Sequence, residues 1–378
     1  MIPHTTIFTV MSALAQKHGA INLAQGFPGF ACSGELVDLV YKYMKAGYNQ
    51  YAPMAGVLPL REQLLTKVQH LYKVAFDPEK NICITAGATE AVHVAIRTCL
   101  QKNDEIIVFE PAFDVYPAAI EAAHAKAVYV PLSSDDFSID WELVKNAITS
   151  KTKAILINSP HNPTGAVLTK SDLDNLEQIV LAHNLFVISD EVYEHIVFDG
   201  QVHESVLKSE TLRDRSFVIG SLGKTFHVTG WRLGYCIGSE YLLSRFKHLH
   251  QYITFAANTP MQYACADFLK NSHTYEHLST FFQNKRDLFL SAMEGSYFKP
   301  IHSSGTYFQL MDYSAISTEN DVDLAKYITE SYKVASIPIS VFYHSQNTQN
   351  ALRFCFAKED DELLKAAEIL RKIDAIHL

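Results

Sequence analysis

KAILINSPHNPTGAVLTKSDLDNLEQIVLAHNLFVIS (153–189) reads as strand, turn, helix and strand. Its two apolar runs, KAILIN (153–158) and LFVIS (185–189), are short and bounded by turn residues, as strands buried on both faces are. Between them a helix is expected to open at Ser171, with Asp174 three residues on in a capping-box spacing. Two strands joined through a helix predict a βαβ unit and a parallel pair. The same kind of run recurs at EIIVF (105–109), KAVYV (126–130), SFVIG (216–220) and LGYCIG (233–238). A further helix opens at Asp140 and carries Trp141, Val144 and Ile148. The expectation is an α/β chain whose mostly parallel sheet has helices on both faces, within residues 47–280.

The flanks read differently. Residues 33–46 form one amphipathic helix with Leu36, Val37, Val40, Tyr41 and Met44 on a stripe, ended by Gly47. Strand-like runs follow at 306–311, 335–341 and 351–356, then a last helix with Leu363, Leu364, Ala367, Leu370 and Ile373 in phase. Residues 1–46 and 281–378 are therefore expected to form a second, smaller α+β domain against the large one.

Composition bounds the function. The chain has 378 residues, with 32 Lys and Arg against 41 Asp and Glu and a net charge of −9. Apolar residues make up 48% and charged residues 19%, which is globular composition and not that of a disordered chain. A mildly acidic chain without a basic block disfavours nucleic acid as a partner. No apolar run is long enough to span a membrane, and the N-terminus lacks the pattern of a signal peptide, so a cytoplasmic protein is expected. Six cysteines without a CxxC pair read as reduced, buried thiols.

Four segments carry candidate chemistry. In SLGKTFHVTGWR (221–232), Gly223-Lys224-Thr225 fails as a P-loop because the required glycine position holds Val218. What remains is Ser221 and Lys224 three apart beyond a strand end, with Arg232 eight residues further, which suits a phosphate anion beside a reactive lysine; solvated loop charges explain it as well. In ISDEVYEHIVF (188–198), Asp190 ends a strand with Tyr193 three residues on, where α/β folds place ligand chemistry, or simply caps a helix. NSPHNPTGAVL (158–168) fixes Asn162 in a proline-bound loop, or is only a turn. ITAGATEAVHVAI (84–96) runs strand, small-residue turn, helix, and such a turn lets backbone N–H groups approach an anion. His248-x-His250 lacks a third nearby ligand and is expected on a helix surface. No HExxH and no GxSxG occurs, and no metal site is expected. Trp141 and Trp231 read as packing residues.

Together, in this order and at these intervals, the four segments resemble the fold-type-I, pyridoxal-phosphate-dependent class I/II aminotransferases. The resemblance runs from NLAQGFPGF (22–30) through QYAPMAG (50–56) to ALRFCFAKEDDEL (351–363). It implies a sheet of the seven-stranded type, pyridoxal 5′-phosphate as cofactor, and a homodimer with shared active sites. By the same resemblance Lys224 is the lysine that binds the cofactor and then acts as base at the substrate Cα. Asp190 pairs with the pyridine nitrogen, Tyr193 and Asn162 hydrogen-bond the ring hydroxyl oxygen, and Phe113 stacks on the ring. Gly87, Ala88 and Thr89 at a helix start, with Ser221 and Arg232, match the phosphate cup, and Tyr51 matches a residue reaching it from the partner subunit. Gly26, Asn162 and Arg353 match substrate-binding positions, Arg353 gripping the α-carboxylate. The alternation in ALRFCFA sets Ala351, Arg353 and Cys355 on one face, so Arg353 is expected away from an open surface.

TTIFTVMSALAQKHGAINLAQGFPGF and QYITFAANTP are most similar to bacterial methionine aminotransferases, relatives of the kynurenine and glutamine transaminases. Ala257-Asn258 stands where the latter often carry an aromatic–His pair, a departure from a kynurenine-type pocket. Phe27, Phe30, Phe255, Phe342 and Tyr343 are expected near the site and disfavour aspartate as donor. Methionine is expected first, then aromatic amino acids and histidine. The rivals are a C–S β-lyase on the same cofactor and a catalytically quiet regulator. The latter needs a DNA-binding module, and only about 20 residues precede NLAQGFPGF.

Overall fold

A computed structural model describes residues 6–345 and 349–374; the outermost residues of the expected small domain, 1–5 and 375–378, lie outside it. Six strands begin within one residue of the expected runs and a seventh, β1, precedes the small-residue turn: β1 (Ile82–Thr85), β2 (Glu105–Glu110), β3 (Lys126–Pro131), β4 (Thr152–Asn158), β5 (Phe186–Asp190), β6 (Ser216–Ser221) and β7 (Gly234–Ile237). They form one seven-stranded sheet in the order β1-β7-β6-β5-β4-β2-β3. All neighbours are parallel except that β7 runs antiparallel to both β1 and β6. Strands β1, β2 and β6 are buried along their whole length, as a sheet covered on both faces requires.

Helices α1 (Ile7–His18), α2 (Gly34–Lys45) and α3 (Leu58–Tyr72) precede β1, and α4 (Ala88–Cys99), α5 (Val115–Ala122), α6 (Trp141–Ala147) and α7 (Lys170–His183) lie between successive strands from β1 to β5. Asp140 caps α6 as expected, its carboxylate accepting from Glu142 N and Leu143 N. The capping box of α7 is not Ser171 with Asp174. It is Thr169 with Asp172, one register earlier, because Thr169 is the last residue in extended backbone. That start buries Leu173, Leu176, Ile179 and Val180 against the sheet.

After α8 (Glu240–His250), α9 (Thr259–Phe268) and α10 (Leu278–Ala292), strands β8 (Phe308–Asp312), β9 (Ile337–Pro338) and β10 (Ala351–Cys355) form an antiparallel sheet. Its order is β9-β10-β8, with residues 299–300 on the outer edge of β8. The run 335–341 is thus not one strand. Pro338 has no N–H to continue the ladder, and Ile339–Phe342 coils into a 3₁₀ turn. The last helix, α11 (Asp360–Leu370), buries Leu363, Ala367 and Leu370, while Leu364 points outward. The N-terminal segment joins this part: Ile21–Asn22 pairs in parallel with Val334–Ala335, and Cys355 N donates to Leu23 O.

The stripe on α2 is only half buried. Leu36 and Val40 face the core, whereas Val37, Tyr41 and Met44 are exposed, as are nearby Tyr48 and Tyr51. All six cysteines are unpaired, and four of them are buried. No helix among the described residues is long and apolar enough to cross a membrane.

Candidate active site

Four chain segments end at one edge of the large sheet and converge on a cleft of about 250 Å³. Strand β6 delivers Ser221, which caps the four-residue turn Leu222–Thr225, its hydroxyl accepting from Lys224 N at 3.4 Å. The Lys224 ammonium lies 3.0 Å from Tyr307 Oη and 3.2 Å from Gly26 O, and 5.5 Å from the Tyr193 ring centre. Burial lowers its pKa from 10.5 to about 8, so an appreciable neutral fraction exists near neutral pH.

Strand β5 ends on Asp190, which is 5% exposed. Its Oδ2 accepts from Tyr116 Oη at 2.7 Å and its Oδ1 from Val192 N at 3.3 Å. Burial raises the pKa from 3.8 to about 6, against the opposing pull of those hydrogen bonds and of Lys224. An anion held in a dry site with a single hydroxyl donor is suited to a cationic partner. Tyr193, three residues on, is buried, with its ring edge-on to Tyr307 at 5.1 Å.

The loop after β4 carries Asn162. Its N–H donates to Asn158 Oδ1 at 2.9 Å, while Asn158 Nδ2 donates to Asp190 O. Asn162 Oδ1 in turn accepts from Arg353 Nη1 at 2.7 Å. Arg353 on β10 is 1% exposed, donates from Nη2 to Ala24 O at 3.1 Å, and leaves Nε unpartnered among the described residues. Its guanidinium lies 3.9 Å from the Phe308 ring centre and 5.3 Å from those of Phe8 and Phe342. Burial lowers its pKa to about 10. A buried guanidinium with no carboxylate bonded to it is a receptor for one.

At the other end of the cleft α4 begins. Gly87 precedes it with φ 83°, and Ala88 and Thr89 present the first N–H groups. Arg232 Nη2 reaches Thr89 Oγ1 at 3.4 Å, and a Cβ on Gly87 would lie 2.5 Å from that same nitrogen. Across the sheet, a Cβ on Gly234 would lie 2.6 Å from Ala88 N, so glycine there is what lets α4 start against β7. Ser221, Arg232 and the start of α4 form a cradle of donors for an anion.

The structure thus brings Gly26, Ala88, Thr89, Phe113, Asn162, Asp190, Tyr193, Ser221, Lys224, Arg232 and Arg353 onto one cleft, with Gly87 against Arg232. Tyr51 stays outside it, 86% exposed and edge-on to Phe255 at 5.4 Å. The expected apolar neighbours are replaced. None of Phe27, Phe30, Phe255, Phe342 and Tyr343 lines the cleft, although Phe342 backs Arg353; the rings that do are Phe8, Phe113, Tyr116, Tyr193 and Phe308. Phe8 arrives from α1, too far along the chain for any local pattern to flag it. Tyr116 had a usable signal, one helical turn after Phe113 in FDVY.

His250 also departs from expectation. It is fully buried, with Nδ1 2.6 Å from Glu90 Oε1 and Nε2 3.0 Å from Met54 O, while His248 remains on the surface. The helical phase of α8 turns the two rings to opposite sides. No group of residues suited to a metal ion occurs among those described.

Known proteins match this chain along nearly its whole length. The family model "Aminotransferase class I and II" matches residues 19–370. Escherichia coli methionine aminotransferase is 42% identical over 98% of this chain and 96% of its own length. Its crystal structure superposes with a TM-score of 0.95, covering 98% of this chain and 100% of that one. A kynurenine–oxoglutarate transaminase of Dictyostelium discoideum is 34% identical over 97% of this chain and 94% of its own. The structure of N-succinyldiaminopimelate aminotransferase from Mycobacterium tuberculosis, 34% identical, also reaches 0.95 over 98% and 97%. A match along nearly the full length, with the lysine, the buried carboxylate and the arginine meeting in one cleft, settles the family: this chain belongs to the class I and II aminotransferases.

Proposed function

We propose that the cleft binds pyridoxal 5′-phosphate and transaminates L-methionine in preference to other amino acids, with aromatic amino acids and histidine also accepted. The observation that carries this is the meeting of Lys224, Asp190 and Arg353 in one cleft, at pKa values shifted toward a reactive amine, a cation-seeking carboxylate and an anion receptor. Class I and II aminotransferases of this fold are pyridoxal-phosphate enzymes, and the residues fit the group. Ser221, Arg232, Ala88 and Thr89 would hold its phosphate, and Phe113 would cover its ring. Asp190 would meet the pyridine nitrogen, while Asn162 and Tyr193 would reach the ring oxygen. When bound, the cofactor supplies an electron sink at the substrate Cα and carries the amino group between half-reactions.

The chain's own residues do the rest. Arg353 fixes the α-carboxylate, with Asn162 orienting its Nη1. The Lys224 amine would move the Cα proton; such positioned proton transfer contributes roughly 10²–10⁴-fold. Tyr307 and Gly26 O steer its amine within hydrogen-bond range. The rings of Phe8, Phe113 and Phe308 exclude water and favour an apolar side chain, which supports methionine, as does the similarity to the Escherichia coli enzyme.

The proposal includes a division into a large cofactor-binding domain (47–280) and a small domain (1–46 and 281–378), and a homodimer in which Tyr51 reaches the partner's phosphate site. Exposed Tyr51, Val37, Tyr41, Met44, Tyr252, Ile253 and Phe255 support such an interface. Unpaired cysteines support a cytoplasmic setting. The test is the visible spectrum of the holoprotein before and after L-methionine without acceptor. A band that bleaches stoichiometrically with release of the 2-oxo acid supports the proposal. A persistent band with accumulating ammonia would replace transamination with C–S lyase chemistry, and no band after addition of cofactor would refute it.

A further inference from the structure

One charge in the cleft has no role in the chemistry above. Asp114 lines it beside Phe8, Phe113, Phe308 and Arg353. It stands immediately before α5, yet its side chain makes no capping hydrogen bond to that helix. Among the described residues its carboxylate joins no ion pair and accepts no side-chain hydrogen bond, although the Arg353 guanidinium is near enough to act on it through space. It is half-buried, and burial holds its carboxyl above the usual range. A half-buried carboxylate held only by the backbone N–H groups of Asp114 and Val115 and by the charge of Arg353 keeps lone pairs for a further partner, and it lines the cleft.

The other charges there are accounted for. Lys224 is committed to the cofactor and Cα, Arg232 to the phosphate, Asp190 to the pyridine nitrogen, and Arg353 to the α-carboxylate. A substrate held by Arg353 therefore has its side chain in a cleft lined by aromatic rings, where, among the described residues, the one carboxylate besides Asp190 is Asp114.

We infer that Asp114 sets the charge selectivity of the side-chain pocket, excluding side chains with a second carboxylate and favouring neutral ones or ones that offer a hydrogen-bond donor. The inference rests on the transamination reading and deepens it. Like charges a few ångströms apart in a partly desolvated cleft repel strongly enough to disfavour the dicarboxylate by about tenfold or more. The same wall meets both half-reactions, so 2-oxo acids with a distal carboxylate are poor acceptors as well.

Glutamine and glutamate test this, because they differ in charge and hardly in shape. The ratio of their kcat/KM values is expected to favour glutamine by about tenfold or more in the wild-type holoenzyme, and to fall about tenfold in Asp114→Asn. Asp114→Ser is a second variant compatible with the start of a helix. Calorimetric binding of glutarate and of its monoamide to the holoenzyme reads the same ratio without turnover. If neither amino acid is a donor, the binding ratio decides the role of Asp114, and the transamination reading fails only if L-methionine is not a donor either. A wild-type protein that does not discriminate within these pairs overturns the inference. So does a ratio that neither substitution moves, since Asp114 would then only offset the charge of Arg353.

Discussion

Asp190→Asn is expected to stabilise the cofactor-free protein at neutral pH while disabling the enzyme, both through one buried carboxylate. In the fold its pKa rises from 3.8 to about 6, chiefly by burial. Between those values the folded chain retains a proton that the unfolded chain has lost, so stability falls as pH rises through that window and stays lower above it. The difference, 6 − 3.8, is about 2 units, or about 3 kcal/mol at about 1.4 kcal/mol per unit, for a group only 5% exposed. Asparagine keeps the shape and can still accept from Tyr116, but has no charge to desolvate. Urea unfolding of the cofactor-free proteins is expected to show the variant more stable by up to about 3 kcal/mol at pH 7.5 and by about nothing near pH 4. The cofactor-loaded variant is expected to lose roughly 10²–10³-fold in kcat, the size of removing one preorganised electrostatic partner. A variant whose stability relative to wild type does not change with pH, or that is destabilised at pH 7.5, would refute the view that ionised Asp190 is held at a cost until a cation meets it.

Lys224→Ala is expected to bind the cofactor without the covalent link and to show no turnover; normal activity would remove Lys224 from its role. On the proposed binding mode Arg353→Lys would give up a two-pronged grip on the α-carboxylate, and kcat/KM for methionine is expected to fall about 10–100-fold, from the roughly 1.5–3 kcal/mol of a charge-assisted contact. Gly234→Ala places a Cβ 2.6 Å from Ala88 N, so cofactor affinity measured by fluorescence titration is expected to drop while the fold remains; unchanged affinity would mean that α4 shifts freely. His250→Leu leaves Glu90 without its buried partner, which is expected to destabilise the protein by about 3–5 kcal/mol in chemical unfolding, and an exposed-site effect below about 0.5 kcal/mol would contradict the buried pair.

Much of this protein is legible locally. The strands at 105–110, 152–158, 186–190 and 216–221 declare themselves because a strand buried on both faces keeps its polar residues to its ends. Asp190 ends such a strand, and Asn162 and Lys224 follow the ends of two others at Asn158 and Ser221, so finding the strand end finds the residue. Where two local signals compete, sequence cannot arbitrate: TKSDLD offers both Thr169–Asp172 and Ser171–Asp174, and only packing against the sheet selects the first. Amphipathicity likewise marks α2 but does not say which half of its stripe is covered within one chain.

The sequence by itself determined the α/β architecture, the family and the residue types at the strand ends, because periodicity, turn chemistry and motif spacing are properties of neighbouring residues. Tertiary structure decided what those residues meet. Arg353 and Asn162 bond across 191 positions, His250 and Glu90 across 160, and Phe8 enters the cleft from the first helix. It also decided which side of His248-x-His250 is buried and that Asp114 lines the cleft. Such contacts follow from chain closure and from the desolvation that accompanies it, and desolvation sets the pKa values of Lys224, Asp190 and Arg353.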